Sequence, residues 1–323
     1  MNKTILITGV AGFVGHALAK ELLSQGWQVI GIDNLSAQTD EIRALKQLRL
    51  TECIGHAGFS FICQDIKNLS DATLQLLKER GVTQIVHLAA NAGVRDAGRR
   101  SIEFLQNNIT GFYMMIELAR HLDVQRFIYA SSSTIYGNHS DNRRDEFSFY
   151  PKNIYAVTKI ADEFIAKIYA DNHGLNTVGL RFFSVYGPYG RPDMAPWIFA
   201  KSIMRGETIR VSNHGNVWRD FTYIDDLVHA IIQVLESNPT GGGYHVCDVG
   251  SMSPRSLNDM IAVMEHYFHT TASRVDQQLT NEEAERTLSD MSTYTAHYPE
   301  LSFTSFEDGM TRFCHWLEHY LAS

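Results

Sequence analysis

The sequence has few cysteines, no cluster of basic residues and no long apolar run. Its four cysteines form no CxxC pair, which argues against a zinc site or a disulfide framework and favours a reducing, cytoplasmic compartment. The 28 basic residues are outnumbered by 36 acidic ones and form no run, so we expect no nucleic-acid partner. No apolar stretch approaches the roughly 20 residues that span a bilayer, so we expect no membrane partner.

The rest of the composition is that of an ordinary globular protein. Hydrophobic residues make up 44% and charged residues 20% of the 323 positions, a length that suggests two lobes or one large α/β unit. The first segment, residues 1–10, is short and leads directly into a glycine motif, so we expect no signal peptide. Fourteen histidines are present, and we expect no metal site among them.

Short apolar runs alternate with helical segments through the first half of the chain. The predicted strands are Lys3 to Thr8, Trp27 to Ile32, Phe59 to Cys63, Gln84 to Leu88 and Arg126 to Ala130. Helical spacing covers 13–25, 69–80 and 101–122. Strands alternating with helices predict a parallel sheet made of right-handed βαβ units, which is a Rossmann-type doubly wound α/β fold.

The pattern changes after about Arg181, where three prolines follow within fifteen residues. We predict one domain from 1–180 plus about 222–247. A smaller α/β lobe would comprise 181–221 plus 248–323. The polar stretch 276–286 is interpreted as a solvated helix face or loop.

Glycines at 9, 12 and 15 stand between the first strand and the first helix. This spacing lets backbone approach a pyrophosphate without Cβ atoms, at a helix end that offers free N–H groups. Asp33 ends the second strand and can accept hydrogen bonds from both adenosine ribose hydroxyls, which favours NAD over NADP. Asp65, after the third strand, is a weaker candidate of the same kind.

A possible acid–base group follows the fifth strand. Tyr155 and Lys159 are four residues apart and share a helix face. An ammonium near a phenol lowers the pKa of the phenol, so that Tyr155 can act as a base. The hydroxyls of Ser131-Ser132-Ser133 stand at the end of the strand and can share the substrate proton.

These motifs resemble those of the extended short-chain dehydrogenases/reductases, and among them the NAD-dependent nucleotide-sugar epimerases and dehydratases. The likeness is closest to the UDP-glucuronate 4-epimerases and covers nearly the whole chain. The fifth of its six segments is the most specific, because GPxGRPDM is typical of the uronate branch. The segments are TGVAGFVG (8–15), HLAANAGVR (87–95), YASSSTIYG (129–137), NIYAVTK (153–159), RFFSVYGPYGRPDMAP (181–196) and RDFTYIDD (219–226).

The resemblance implies roles for individual residues. Ser132 takes the place of the catalytic Ser/Thr, with Tyr155 as the base and Lys159 as its partner. The residues expected to bind or support NAD are Gly9, Gly12, Phe13, Val14, Gly15, Asp33, Asn34, Asp65, Ile66, Leu88, Ala89, Ala90, Asn108, Tyr155 and Lys159.

The resemblance also implies a UDP-sugar substrate and residues that hold it. Ser133 and Ser184 would lie near the C6 carboxylate of the sugar. Arg191 and Arg219 would hold the diphosphate or adjoining parts, since a planar guanidinium suits such oxygens. Arg95 is a weaker candidate on the same side.

Several alternatives stay open. Dehydratases carry an Asp-Glu pair after the catalytic hydroxyl, and Ser133-Thr134 stand there instead, which favours epimerisation over elimination. UDP-glucuronate decarboxylases share the oxidation at C4, and a 4-keto uronate is a β-keto acid that can lose CO₂. The chain could also epimerise another nucleotide sugar or serve as a non-catalytic NAD-sensing binding protein.

The resemblance implies a homodimer formed by the helices around 101–122 and 155–171. The second helix carries Phe164, Ile165, Ile168 and Tyr169 as an apolar stripe, which core packing would also explain. The sequence assigns no role to segments 212–215 and 281–287.

Overall fold

The structure, a computed structural model, describes residues 3–138, 149–237 and 243–322. The strands in these ranges are β1 (Thr4–Thr8), β2 (Gln28–Asp33), β3 (Phe59–Cys63), β4 (Gln84–His87), β5 (Arg126–Ser132), β6 (Thr177–Phe182), β7 (Ser184–Tyr186), β8 (Ile209–Ser212), β9 (Trp218–Tyr223), β10 (Tyr244–Val249), β11 (Pro254–Ser256) and β12 (Arg274–Gln277). The α-helices are α1 (Phe13–Ser24), α2 (Asp40–Cys53), α3 (Asp71–Glu79), α4 (Val94–Ala97), α5 (Ser101–Phe104), α6 (Gly111–His121), α7 (Ile154–His173), α8 (Ala195–Met204), α9 (Ile224–Glu236), α10 (Leu257–Phe268), α11 (Ser292–His297) and α12 (Phe306–Ala322).

Seven strands form one parallel sheet in the order β10-β6-β5-β4-β1-β2-β3. Ile5 and Ile7 of β1 face an apolar layer that includes residues of α1 and α9, whereas Leu6 faces a second layer that includes residues of α6 and α7. Helices covering both faces explain why these strands are continuous apolar runs. The predicted doubly wound Rossmann-type fold is confirmed, and β1 to β5 begin within one residue of their predicted starts.

The strand order reverses between β1 and β4, which lie side by side. Thr8 at the end of β1 is in register with His87 at the end of β4. Ligands of open α/β sheets bind in the crevice at such a reversal. The glycine motif and the segment after β4 therefore open on one crevice.

The second half of the chain adds two small sheets. β9 pairs in parallel with β7 and antiparallel with β11, while β8 pairs in parallel with β12. Helices α8, α10 and α12 pack against one another around Trp197, Met260 and Phe313. No helix of the described ranges is both long enough and apolar enough to cross a bilayer.

Two predicted segments differ in detail from the structure. The helix expected over 101–122 is present over 101–121, and a π-helical turn, Leu105–Thr110, lies within it between α5 and α6. A π-helical turn of six residues is too short to change the spacing of apolar residues visibly. Periodicity therefore cannot reveal it. The stretch 276–286 is not wholly solvated, because it starts within β12 and Arg286 forms a parallel bridge with Trp218. This pairing joins backbone atoms, so the polarity of the side chains could not predict it.

Candidate active site

The turn between β1 and α1 leaves no room for a side chain at its glycines. Gly9 has φ +71°, and a Cβ there would lie 2.8 Å from backbone of the segment after β4. A Cβ on Gly15 would lie 2.2 Å from the carbonyl oxygen of Gly9. Gly12 precedes α1 with no side-chain cap, and Phe13 and Val14 form the first turn. The uncapped helix end and the bare turn fit the pyrophosphate of a dinucleotide.

Polar residues meet where β2 and β3 end. Asp33 is buried and accepts hydrogen bonds from two backbone N–H groups at 3.2 and 2.8 Å. Asn34 donates to the carboxylate of Asp65 at 3.3 Å, and Asp65 caps the short 3₁₀ turn Ile66–Asn68. Lys46 of α2 forms a 2.8 Å ion pair with Asp33, a contact that no sequence motif suggested. A fixed carboxylate at this place fits the ribose of NAD.

The segment after β4 is tied to β1. The backbone N–H groups of Leu88 and Ala89 both donate to Thr8 Oγ1 at 3.2 Å. Ala90 is exposed next to them. This segment therefore packs directly against the glycine turn and borders the same crevice.

Asn108 lies in the π-helical turn and is buried. Its Oδ1 accepts from the N–H of Asn91 at 2.8 Å, while its Nδ2 donates to the carbonyl of Asn91 and to Thr158 Oγ1, each at 3.0 Å. The amide is thus bonded to the protein on both sides. Asn108 links the segment after β4 to α7 as a support of the site.

Ser132 ends β5 and caps the 3₁₀ turn Ser133–Tyr136. Its Oγ accepts hydrogen bonds from the backbone N–H and from the hydroxyl of Thr134, at 3.2 and 3.0 Å. Both bonds use lone pairs of the oxygen. The proton of Ser132 is therefore available to donate to a substrate oxygen.

Tyr155 and Lys159 lie one turn apart at the start of α7. The helix begins where the side chain of Asn153 accepts from a first-turn N–H at 2.9 Å. Burial alone would lower the pKa of Lys159, but the charges of Asp162 and Tyr155 outweigh it and raise that pKa. Lys159 therefore stays charged one helical turn from Tyr155.

Arg191 reaches the segment after β4. Its guanidinium donates to the carbonyl of Ala92 at 2.9 Å and pairs with Asp193, while its Nη1 has no acceptor among the described residues. Burial alone would lower the pKa of Arg191, but the charges of Asp193 and Tyr155 raise it. Tyr155 therefore lies within electrostatic range of both Lys159 and Arg191.

The other residues predicted to bind the sugar nucleotide lie on separate elements. Ser133 lines a small cleft with residues 286–288. Ser184 begins β7 and is half-buried, and Arg219 on β9 donates to a carbonyl just before residues 286–288 at 3.4 Å. Arg95 belongs to α4, and its side chain is outside the part of the chain that the structure describes.

No sequence motif indicated the residue that anchors the loop preceding Arg191. Arg49 of α2 is buried and donates to the carbonyls of Tyr189 and Gly190 at 2.7 and 3.1 Å, and to that of Ala11 at 3.2 Å. The bonds hold Tyr189 at φ +61°, a left-handed conformation that side chains rarely adopt. A single arginine within a helix has no motif, so only the fold reveals this link between cofactor and sugar sides.

One cluster lies apart from this site. His315, Glu318 and His319 on α12 place possible metal-ligand atoms within 4.8 Å of one another. The expectation of no metal-ligand pattern overlooked this HxxxH spacing, which the sequence itself carries. All three side chains are exposed, and the Tyr267 hydroxyl donates to Glu318 at 3.0 Å. Within the described ranges, its hydrogen bonds reach only Tyr267 and the helix itself.

Comparisons with known proteins agree with this geometry. The sequence pattern of the NAD-dependent epimerase/dehydratase family matches residues 5–250. UDP-glucuronate 4-epimerase of Thermodesulfobacterium geofontis is 33% identical over 313 residues, which cover 96% of this chain and 95% of that protein. UDP-glucuronate 4-epimerase 4 of Arabidopsis thaliana is 33% identical over 335 residues, covering 98% and 76%. The crystal structure of UDP-glucuronic acid 4-epimerase from Bacillus cereus, in complex with UDP-glucuronic acid and NAD, is 29% identical, with a TM-score of 0.91 and coverage of 98% and 99%.

Proposed function

The chain belongs to the NAD-dependent epimerase/dehydratase family, and on that premise we propose that it interconverts UDP-glucuronate and UDP-galacturonate by epimerisation at C4. The observation that carries the proposal is that Tyr155 stands one helical turn from Lys159 on α7 and lies within electrostatic range of both Lys159 and Arg191. Lys159 suits a phenol that removes a hydroxyl proton, and Arg191 suits a uronate carboxylate or a diphosphate. The Bacillus cereus relative in complex with UDP-glucuronic acid and NAD supports the same substrate.

NAD⁺, when bound, accepts the hydride from C4 of the sugar and later returns it. The turn from Gly9 to Gly15 would hold its pyrophosphate, and Asp33 would accept from its ribose hydroxyls. The carboxylate of Asp33 would repel a 2′-phosphate, which favours NAD over NADP. The ion pair with Lys46 holds that carboxylate in place.

In the proposed reaction Tyr155, as a phenolate, takes the proton of the sugar 4-OH while hydride leaves C4. Lys159 stabilises the phenolate, and the hydroxyl of Ser132 donates a hydrogen bond to O4 and so holds the sugar hydroxyl in place. The flat 4-keto sugar then presents its other face, hydride returns to C4, and Tyr155 gives its proton back to O4. Substrate and product differ only in the configuration of C4, so no net oxidation occurs.

A 4-epimerase of uronates must also keep the β-keto acid from losing CO₂. Hydrogen bonds to the charged carboxylate stabilise it relative to neutral, departing CO₂. The free Nη1 side of Arg191 and the hydroxyls of Ser133 and Ser184 are the donors that we assign to this task. Arg219 is assigned to the diphosphate.

Proton NMR of the purified protein with UDP-glucuronate and catalytic NAD⁺ tests the proposal. We expect signals of UDP-galacturonate that approach an equilibrium mixture. Release of CO₂ with a UDP-pentose would move the protein to the decarboxylases, and turnover of only another nucleotide sugar would change the substrate. Binding of NAD without turnover of any nucleotide sugar would indicate a sensing protein instead.

We further propose a homodimer formed through α6 and α7. Large apolar side chains are exposed on these helices, with Phe164 45%, Ile168 52% and Tyr113 47% exposed. Tyr113 contacts Tyr169 of α7 edge-to-face at 6.3 Å, so the two helices share one face. A twofold axis would pair that face with itself, which suits a second copy of the chain.

Light scattering should give twice the chain mass for the wild type and a single chain mass for the double variant Phe164→Glu, Ile168→Glu. Ile198→Glu, at a comparably exposed position on α8, is the control and should leave the dimer intact. A wild-type monomer at micromolar concentration would contradict the proposal.

The thiols support a cytoplasmic location. All four cysteines are free, and three of them are buried. Burial raises the pKa of the Cys53 thiol to about 11, which keeps it protonated. Unpaired thiols suit a reducing compartment, and fractionation of the producing cells would test this inference.

A further inference from the structure

A second carboxylate lies next to the lysine of the proposed catalytic group. Asp162 follows Lys159 by one turn of α7, and its Oδ2 lies 3.1 Å from Lys159 Nζ. The two side chains are 0% and 3% exposed. The ammonium that would activate Tyr155 thus already has a buried counter-ion.

The other oxygen of Asp162 is unused. Its Oδ1 has no hydrogen-bond partner among the described residues, and neither does the hydroxyl of Tyr129 on β5, whose pKa burial raises well above its usual value. A buried carboxylate with a free oxygen is costly, and buried ion pairs seldom add stability. Packing and helix formation therefore do not explain a carboxylate at this position.

The surroundings leave the charge of Asp162 adjustable. Burial raises the pKa of Asp162 to about 7, against the opposing effect of the Lys159 ammonium, and the charge of Glu163 adds to the rise. Glu163 is itself paired with Arg181 of β6 at 2.8 Å. On the side of β4, the charge of Lys159 faces His87, which burial keeps neutral by lowering its pKa to about 3.

We propose that Asp162 is a positioning residue that holds the Lys159 ammonium and divides its charge between itself and Tyr155. When Asp162 is ionised, the negative charge offsets part of the field that favours the Tyr155 phenolate. When it is protonated or replaced by a neutral group, the charges of Tyr155 and Glu163 remain to keep Lys159 protonated, and the field of the ammonium acts on Tyr155 without that offset. This inference rests on the proposed function, because it gives Tyr155 and Lys159 their catalytic roles.

The variant Asp162→Asn keeps the size of the side chain and removes its charge. We expect the midpoint of Tyr155 ionisation to fall by about 1 pH unit, since a carboxylate near a titrating group shifts it by an amount of this order. Ultraviolet difference absorbance of the phenolate measures this without substrate, each protein being compared with its own Tyr155→Phe partner. The acidic limb of kcat/KM against pH should move by the same amount.

Asp171→Asn is the matched control. It lies on the same helix in a Lys–Asp pair of 3.0 Å with Lys167, but at the surface. It should leave both midpoints unchanged. If Asp162→Asn does not fold, Asp162→Ala removes the same charge with a good helix former and should give the same shift.

An unchanged Tyr155 midpoint in a folded Asp162 variant would overturn the proposal, whatever happens to the rate. A rise of the midpoint would overturn it as well, because it would mean that Asp162 helps the phenolate. If the wild type turns over no nucleotide sugar, the proposed function fails, while the absorbance titration still decides the role of Asp162.

Discussion

The cofactor side and the sugar side of the site are built in different ways. The cofactor side comes from turns that follow neighbouring strands, fixed by backbone contacts: 8–15, 33–34, 65–66 and 88–91. On the sugar side, Arg286 bridges to Trp218 of β9, and Lys152 donates to a carbonyl 131 positions away at 2.9 Å. The residues of the first side therefore stand at strand ends that short motifs predict, whereas the second side depends on pairings between distant segments that no motif predicts. We expect substitutions on the cofactor side to affect the binding of NAD and substitutions on the sugar side to affect the binding of the sugar nucleotide.

The largest expected effect is at the point where the two sides meet. Tyr155→Phe removes the proposed base, so kcat should fall by about 100- to 10,000-fold while NAD still binds. Tyr267→Phe, which removes a hydroxyl bonded to Glu318 far from the crevice, should leave kcat unchanged. Turnover by Tyr155→Phe within tenfold of the wild type would assign the base to another residue.

A glycine substitution should break the cofactor side. Gly15→Ala places a Cβ 2.2 Å from the carbonyl oxygen of Gly9, a backbone atom that cannot move aside cheaply. We expect NAD affinity to fall roughly 10- to 100-fold and the free energy of unfolding to drop by about 1–3 kcal/mol. Calorimetric NAD titration and urea unfolding measure both.

Gly243→Ala is the control, because a Cβ there meets no described atom within 4 Å. Its NAD affinity should equal that of the wild type. Normal NAD binding by Gly15→Ala would mean that the dinucleotide does not pass over this turn.

Arg191→Ala should affect the sugar side alone. Loss of a charge-assisted hydrogen bond costs about 1.5–3 kcal/mol, so KM for the sugar nucleotide should rise roughly 10- to 100-fold with NAD affinity unchanged. Steady-state kinetics and NAD titration separate the two. Arg210→Ala, at an exposed position of β8, should change neither. A parallel loss of NAD affinity in Arg191→Ala would show that the two sides are not independent.

The smallest expected effect is a loss of folding stability at low pH, which arises at a contact between the two sides. His16 of α1 packs against Tyr189 at 4.9 Å, and burial lowers its pKa to about 4, with Glu52 acting against that shift. Since the unfolded chain takes up the proton first, stability should be lost as pH falls from about 6.5 towards 4. The loss should reach about 2 kcal/mol by about pH 5. His16→Gln should flatten that part of the profile, measured by urea unfolding; an unchanged slope would exclude His16 as its cause.

The features that could be predicted are those with short-range signals. The glycine turn, Asp33 and the Tyr155–Lys159 pair each stand at the end of a strand or the start of a helix, where chemistry and spacing coincide. Lys46 and Arg49 could not be found in this way, because they enter the site from within α2, where a basic residue is usually part of a surface.

The second half of the chain was predicted less completely than the first half for a related reason. Strands β7 and β11 are only three residues long, and β8 and β12 have four each. So few residues carry little periodicity, and their pairing is decided by tertiary contacts. The same contacts decide which carbonyls Lys152 and Arg219 reach, so the details of the sugar side had to come from the structure.

The π-helical turn Leu105–Thr110 makes the length of this segment as important as its composition. Each residue of a helix advances the chain by about 100° around the axis. Removing one residue here would rotate α5 against α6, and Asn108 could no longer bond both Asn91 and Thr158. Single-residue deletions at this turn should therefore be eliminated by selection, even at positions where every substitution is accepted. Surface helices, in contrast, often tolerate such deletions at their ends.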